Sequence, residues 1–164
     1  MGNKKKIVIS LFFGVGLGMG LNRVIMKYCG RKKVEDTVIS PNRFEVGFNL
    51  FNKWIKLKNE GKTLTPYFLD NEISTIAIYG MGALGERLFE ELRSSAVRVV
   101  YAIDRNADSK HIEGLKIVGA EDELGDVDAI IVTPVQDYDA IEEKLNQRTD
   151  ADIISLEDIL DYYV

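Results

Sequence analysis

Residues 74–104 read STIAIYGMGALGERLFEELRSSAVRVVYAID, and the fold turns on how this stretch is parsed. A short apolar run at 75–79 breaks at Gly80, and Gly80, Gly82 and Gly85 stand in the spacing Gly-x-Gly-x-x-Gly. Apolar residues then recur at helical spacing, and a second apolar run at 98–103 closes on Asp104. A strand, a glycine turn, a helix and a strand ending in an acid make a unit suited to a dinucleotide. Each glycine has a task in that reading: Gly80 permits the sharp turn, Gly82 leaves room for a pyrophosphate against the backbone, and Gly85 lets the helix pack closely. The freed amides around Ala83 and Leu84 head the helix and face negative charge. The bland alternative is a fold that keeps its glycines for turn and packing reasons alone.

The acid selects among cofactors. Asp104 lies 19 residues beyond Gly85, where a carboxylate accepts hydrogen bonds from ribose hydroxyls and repels a 2′-phosphate. Arg105 pulls the other way, since an arginine here can meet a 2′-phosphate, but Asp104 before it favours a free ribose and therefore NAD. The candidate cofactor-binding residues on this side are Gly80, Met81, Gly82, Ala83, Leu84, Gly85, Asp104 and Arg105.

Beyond Asp104 the alternation continues. Strands are expected near 75–79, 98–103, 115–118, 128–133 and 152–155, and helices near 83–94, 137–147 and 156–162, with a weaker helix near 121–124. Alternating strands and helices argue for an α/β fold, a small doubly wound, mostly parallel sheet covered on both faces. The segment between Asp104 and Leu115 is short for a crossover helix, so the third strand should be a small edge element. In a doubly wound sheet the fourth strand ends beside the first, at the switch point where ligands bind. Thr133 and Pro134 are therefore expected to form the far wall of the pocket, with Thr133 offering its hydroxyl to phosphate or sugar, or else capping the next helix.

No catalytic or metal constellation accompanies the motif. Cys29 is the only cysteine and His111 the only histidine, so two-histidine relays and cysteine clusters are excluded by counting. His111 lies in a polar loop and reads as solvated. The acid pairs Glu90–Glu91 and Glu142–Glu143 read as solvated helix faces. No Tyr-x-x-x-Lys pair occurs in the sheet-forming segment.

Upstream, four segments are expected: residues 1–29 as a basic and apolar membrane-anchor candidate, 30–43 as a linker, 44–73 as a helical lead-in, and 74–164 as the nucleotide-binding domain. Residues 1–33 carry eight basic residues and no acid, leaving 13 basic residues against all 26 acidic ones in the remainder. An acidic body is a poor partner for nucleic acid, while the basic end suits an anionic membrane surface. Residues 7–21 contain no charge, and extension to Met26 gives about the roughly 20 residues that span a bilayer core, though with Asn22 and Arg23 included. Gly14, Gly16, Gly18 and Gly20 give overlapping Gly-x-x-x-Gly spacings. A cleaved signal peptide and a soluble strand with a glycine-rich turn are the competing readings. If residues 7–26 meet the membrane, the larger basic set lies on the domain's side and puts that domain in the cytoplasm. In the lead-in, Phe44, Phe48, Phe51 and Ile55 recur at helical spacing, widened by Leu50 and Trp54, and predict an amphipathic helix packed on the domain or resting on a membrane.

The segments TIAIYGMGALGERLFEEL, VVYAID and IEGLKIVGAEDELGDVDAIIVTP resemble the Rossmann-like nucleotide-binding domains of bacterial surface-polysaccharide proteins. These include the amino-terminal domain of nucleotide-sugar acyltransferases, which binds a UDP-sugar, and the non-catalytic domain following membrane helices in nucleotide-sugar dehydratases and polyprenyl-sugar phosphotransferases. The resemblance rests on Gly80, Gly82, Gly85, Asp104 and the stretch Gly114–Gly119, and covers residues 74 to about 148. It implies nucleotide binding beside a membrane, with NAD or a UDP-sugar as ligand and a polysaccharide-biosynthesis enzyme as partner. The catalytic domains of those relatives have no counterpart here, so their activities are not implied. Two other readings stay open: a small NAD-dependent oxidoreductase or epimerase completed by a partner chain, and an interaction protein with a vestigial pocket.

Overall fold

Five parallel strands and the helices between them follow the predicted alternation closely. The computed structural model describes residues 43–163. The anchor candidate at 7–26, Cys29 and most of the expected linker lie outside the described residues. The chain runs α1 (Arg43–Asn59), α2 (Thr65–Asp70), β1 (Thr75–Tyr79), α3 (Ala83–Leu92), β2 (Arg98–Asp104), β3 (Lys116–Gly119), β4 (Ala129–Val132), α4 (Tyr138–Leu145), β5 (Asp152–Ser155) and α5 (Leu156–Asp161). Short 3-10 turns stand at Ala107–Ser109 and Val135–Asp137.

The sheet order is β3-β2-β1-β4-β5, and every pairing is parallel. Chain order reverses between β1 and β4, and β3 is the edge strand that the short connection after Asp104 predicts. Parallel strands covered on both faces read as continuous apolar runs. The three central residues of β1 and all four of β4 are buried accordingly.

Successive strand residues point to opposite faces, so two cores form. On one face Ile76, Ile78, Ala102 and Ile131 pack with Trp54 of α1, Phe68 of α2, Leu88 and Leu92 of α3, and Ile159 and Leu160 of α5. On the other, Ala77, Ile103, Ile130 and Val132 pack with Ile141 and Leu145 of α4. Helices therefore lie on both faces, an α/β architecture.

Three details depart from the sequence-based expectation. The buried stripe of α1 is Leu50, Trp54 and Leu57, whereas Phe44, Phe48 and Ile55 remain 76%, 55% and 55% exposed. Both stripes recur at helical spacing, and the buried one carries the tryptophan whose indole N–H finds a partner in the fold, Glu91 Oε2 at 2.7 Å. Glu91 is thus not a solvated side chain: it is 6% exposed, and its Oε1 also accepts the Leu64 amide at 2.8 Å and lies 3.0 Å from Lys58 Nζ. Finally, residues 121–124 form no helix. Asp122 instead turns its carboxylate back to the Gly119 amide at 2.7 Å, a local side-chain bond that competes with helix formation.

Among the described residues no helix is long and apolar enough to cross a membrane.

Candidate functional site

The carboxyl ends of β1, β2 and β4 converge at the reversal of strand order, where ligands bind in open parallel sheets. The glycine turn sits there. Gly80 has φ +91°, in the region that favours glycine. A side chain on it would also meet Pro134 Cδ at 2.7 Å and Thr133 Oγ1 at 2.9 Å. Gly85 is a second steric necessity, because a Cβ there would stand 2.1 Å from the Gly80 carbonyl oxygen. Gly82 differs from both. Its φ of −82° suits any residue, and nothing lies within 4 Å of where its Cβ would be. It caps α3 with no side chain to accept the free amides of the first turn.

Asp104 ends β2, and it reaches inward to the turn. Its Oδ2 accepts the Met81 amide at 2.7 Å, and its Oδ1 accepts the Asn106 amide at 2.8 Å. Lys110, from the loop after β2, has its Nζ 3.7 Å from Asp104 Oδ2 and donates to the Met81 carbonyl. The Met81 side chain is fully buried in the first core, so only its backbone belongs to the site. Across the reversal, Thr133 is 5% exposed; its hydroxyl donates to the Gly80 carbonyl at 2.7 Å, and its amide donates to the Tyr79 carbonyl at 3.0 Å. Asp104 and Thr133 thus hold the turn from its two sides.

Two cavities of about 480 Å³ each open over this turn, and both are lined by Gly80, Gly82, Pro134 and Arg43. The first lies against α1 and is lined by Phe44, Phe48, Leu50, Phe51, Leu84 and Val135. Ala83 also borders it. The second extends over the end of β2 toward α4, where Arg105, Lys110 and Lys144 face Asp104 and Asp137. Arg43 bonds both carboxylate oxygens of Asp137 at 2.9 Å, tying the start of α1 to the turn before α4. Tyr79 lines the cationic cavity, and burial pushes its phenol up. This second cavity offers fixed positive charge to a phosphate group, while Ala83 and Leu84 at the head of α3 border the first.

Of the residues expected from sequence, Gly80, Gly82, Ala83, Leu84, Asp104, Arg105, Thr133 and Pro134 line the two cavities, and Met81 and Gly85 line neither. The structure adds Arg43, Lys110 and Lys144 and the phenylalanines of α1. Lys110 sits six residues past the acid in a polar loop, where nothing in the spacing distinguishes it from a solvated lysine. His111 beside it is exposed. Among the described residues no group of three His, Cys, Asp or Glu side chains converges on a metal position.

Fold and site together define a small α/β protein with a glycine-rich turn at the reversal point of an all-parallel sheet. Residues 72–154 match the family model described as C2185-like, N-terminal, about half of the chain, and the protein belongs to that family. No curated protein and no solved structure matches it.

Proposed function

We propose that the protein is a Rossmann-like module that binds a dinucleotide or nucleotide-sugar at the glycine turn without turning it over. Gly82 carries the reading. The sterics of the fold account for Gly80 and Gly85 as glycines, but nothing in the fold requires a glycine at position 82. A ligand phosphate lying against the backbone does require one. The cationic cavity beside the turn, in a chain with a net charge of −5, supports the same assignment. Residues 7–26 are proposed as the membrane tether, with the domain on the cytoplasmic side, where NAD and nucleotide-sugars are kept. The role proposed is accessory or regulatory, beside an enzyme of envelope polysaccharide synthesis.

A second reading, a turn kept only as structure, is favoured by one observation: both oxygens of Asp104 are already engaged by backbone amides. The two readings part in a thermal-shift experiment on the full-length chain. NAD or a UDP-sugar, at concentrations on the order of millimolar, should raise the melting temperature by mass action. Gly82→Val should remove that rise while leaving the melting temperature of the free protein nearly unchanged. The absence of any shift with either ligand sinks the binding reading.

A further inference from the structure

The two cavities over the turn are alike in size and opposite in character, and they share the glycine turn as a common wall. In the cavity against α1 the only charged lining residue is Arg43, which Asp137 already pairs. Its walls are otherwise mostly apolar, and Phe44 and Phe48 stack there with ring centroids 6.4 Å apart. A sugar placed here would lose water from its hydroxyls with little besides Gln136 to replace it. A lone planar ring would leave most of the space unfilled, since about 300–1,000 Å³ accommodates a whole drug-sized ligand. Hydrocarbon fits both the lining and the volume.

We propose that the site takes an amphiphilic phosphate ester, its anionic head in the cationic cavity and its hydrocarbon group in the cavity against α1. The inference rests on the phosphate-binding reading above and specifies what lies beyond the phosphate. With the phosphate over Gly82, the head meets Lys110 and Arg105, and the hydrocarbon leaves along Leu84 toward Phe48. Each methylene buried against these phenylalanines should tighten binding roughly fourfold. A lipid-borne diphosphate and a soluble acyl-nucleotide both have this chemistry.

Isothermal titration of the purified full-length chain with inorganic pyrophosphate, farnesyl diphosphate, adenosine 5′-dodecyl phosphate and NAD tests the proposal. Farnesyl diphosphate or adenosine 5′-dodecyl phosphate should bind at least about tenfold more tightly than pyrophosphate. The tighter of the two identifies the lipid or the soluble source. Phe48→Asp should abolish the advantage, measured against pyrophosphate binding to the same variant. Because Phe48 is 55% exposed, this variant should fold, which its melting temperature checks. Lys110→Gln should weaken all four ligands. Equal affinity for pyrophosphate and both amphiphiles, or an amphiphile advantage that survives Phe48→Asp, overturns the proposal. If NAD binds and no amphiphile gains over pyrophosphate, the inference fails while the nucleotide reading stands. If none of the four binds and a UDP-sugar gives no thermal shift, both fail.

Discussion

Asp104 Oδ2 accepts the Met81 amide at 2.7 Å, so the acid that closes β2 fastens the glycine turn leaving β1. Its other oxygen accepts the Asn106 amide, and the residue is 8% exposed. Removing a buried acceptor leaves its donors unsatisfied, at about 1–3 kcal/mol per group. Asp104→Ala is therefore expected to destabilise the protein by about 2–4 kcal/mol, with Asp104→Asn costing less because one carbonyl oxygen remains. Urea unfolding of the three proteins measures this. An unchanged midpoint for Asp104→Ala would mean that the carboxylate is not needed to hold the turn and is available to a ribose.

The glycines should separate in the same assay. At Gly85 an added methyl stands 2.1 Å from the Gly80 carbonyl oxygen, and backbone cannot swing aside as a flexible side chain does. Gly85→Ala should cost about 1–3 kcal/mol or more despite the better helix propensity of alanine. Gly82→Ala meets nothing and keeps an ordinary φ, so its cost should be limited to weaker capping of α3, about 0.5–1 kcal/mol. Comparable losses at the two positions would show that Gly82 is held by the fold and would withdraw the support it gives to a ligand.

This contrast also marks what the sequence makes legible. The motif spacing locates the turn, and the alternation of apolar runs locates every strand, because both signals are local. The short link after Asp104 makes β3 an edge strand on length alone. The face of α1 is legible only in part: Leu50 and Trp54, expected at its margin, are buried with Leu57 at its centre. Phe44, Phe48, Phe51 and Ile55 repeat as regularly as Leu50, Trp54 and Leu57, and only the partners met in three dimensions decide between them. Glu91 is hidden for the same reason, since its donors come from Trp54 and Leu64 far away in the chain. Lys110 becomes part of the site through the path of a loop, which periodicity does not describe. Spacing places Asp104 and Thr133 beside the turn, while their bonds to the turn itself depend on side-chain geometry that spacing does not reach.

Glu91 gives a prediction with an optical readout. Trp54 is the only tryptophan, and its indole N–H donates to this buried carboxylate. Glu91→Ala leaves the indole and the Leu64 amide without their acceptor and Lys58 without its partner. The expected loss is about 2–4 kcal/mol, with α1 loosening first and tryptophan emission shifting to the red. Glu91→Gln, which keeps a carbonyl oxygen, should lose less and shift less. Unaltered emission with unaltered stability in Glu91→Ala would show that α1 is held by Leu50, Trp54 and Leu57 packing alone.

At the opposite end of the sheet, Asp128 sets an acid limit on stability. Its Oδ2 accepts the Ser74 amide at 2.9 Å, the Thr75 amide at 2.7 Å and the Ser74 hydroxyl at 2.9 Å, joining the start of β1 to the start of β4. The backbone bonds from Ser74 and then Thr75 hold its carboxyl well below its ordinary value of 3.8, at about 2. The folded state thus prefers the ionised form more than the unfolded state does. The stabilisation is fully present above the unfolded value and is lost as pH falls from about 4 through about 2. Asp128→Asn removes the charge and keeps an acceptor, so the variant should be less stable than wild type at neutral pH. The gap in urea midpoint should stay constant down to about pH 5 and then close between about pH 4 and pH 2. Other carboxylates titrate in the same range, but they are common to both proteins and cancel in the difference. A gap that persists unchanged at about pH 2 would mean that the bonds from Ser74 and Thr75 favour the neutral acid as much as the carboxylate.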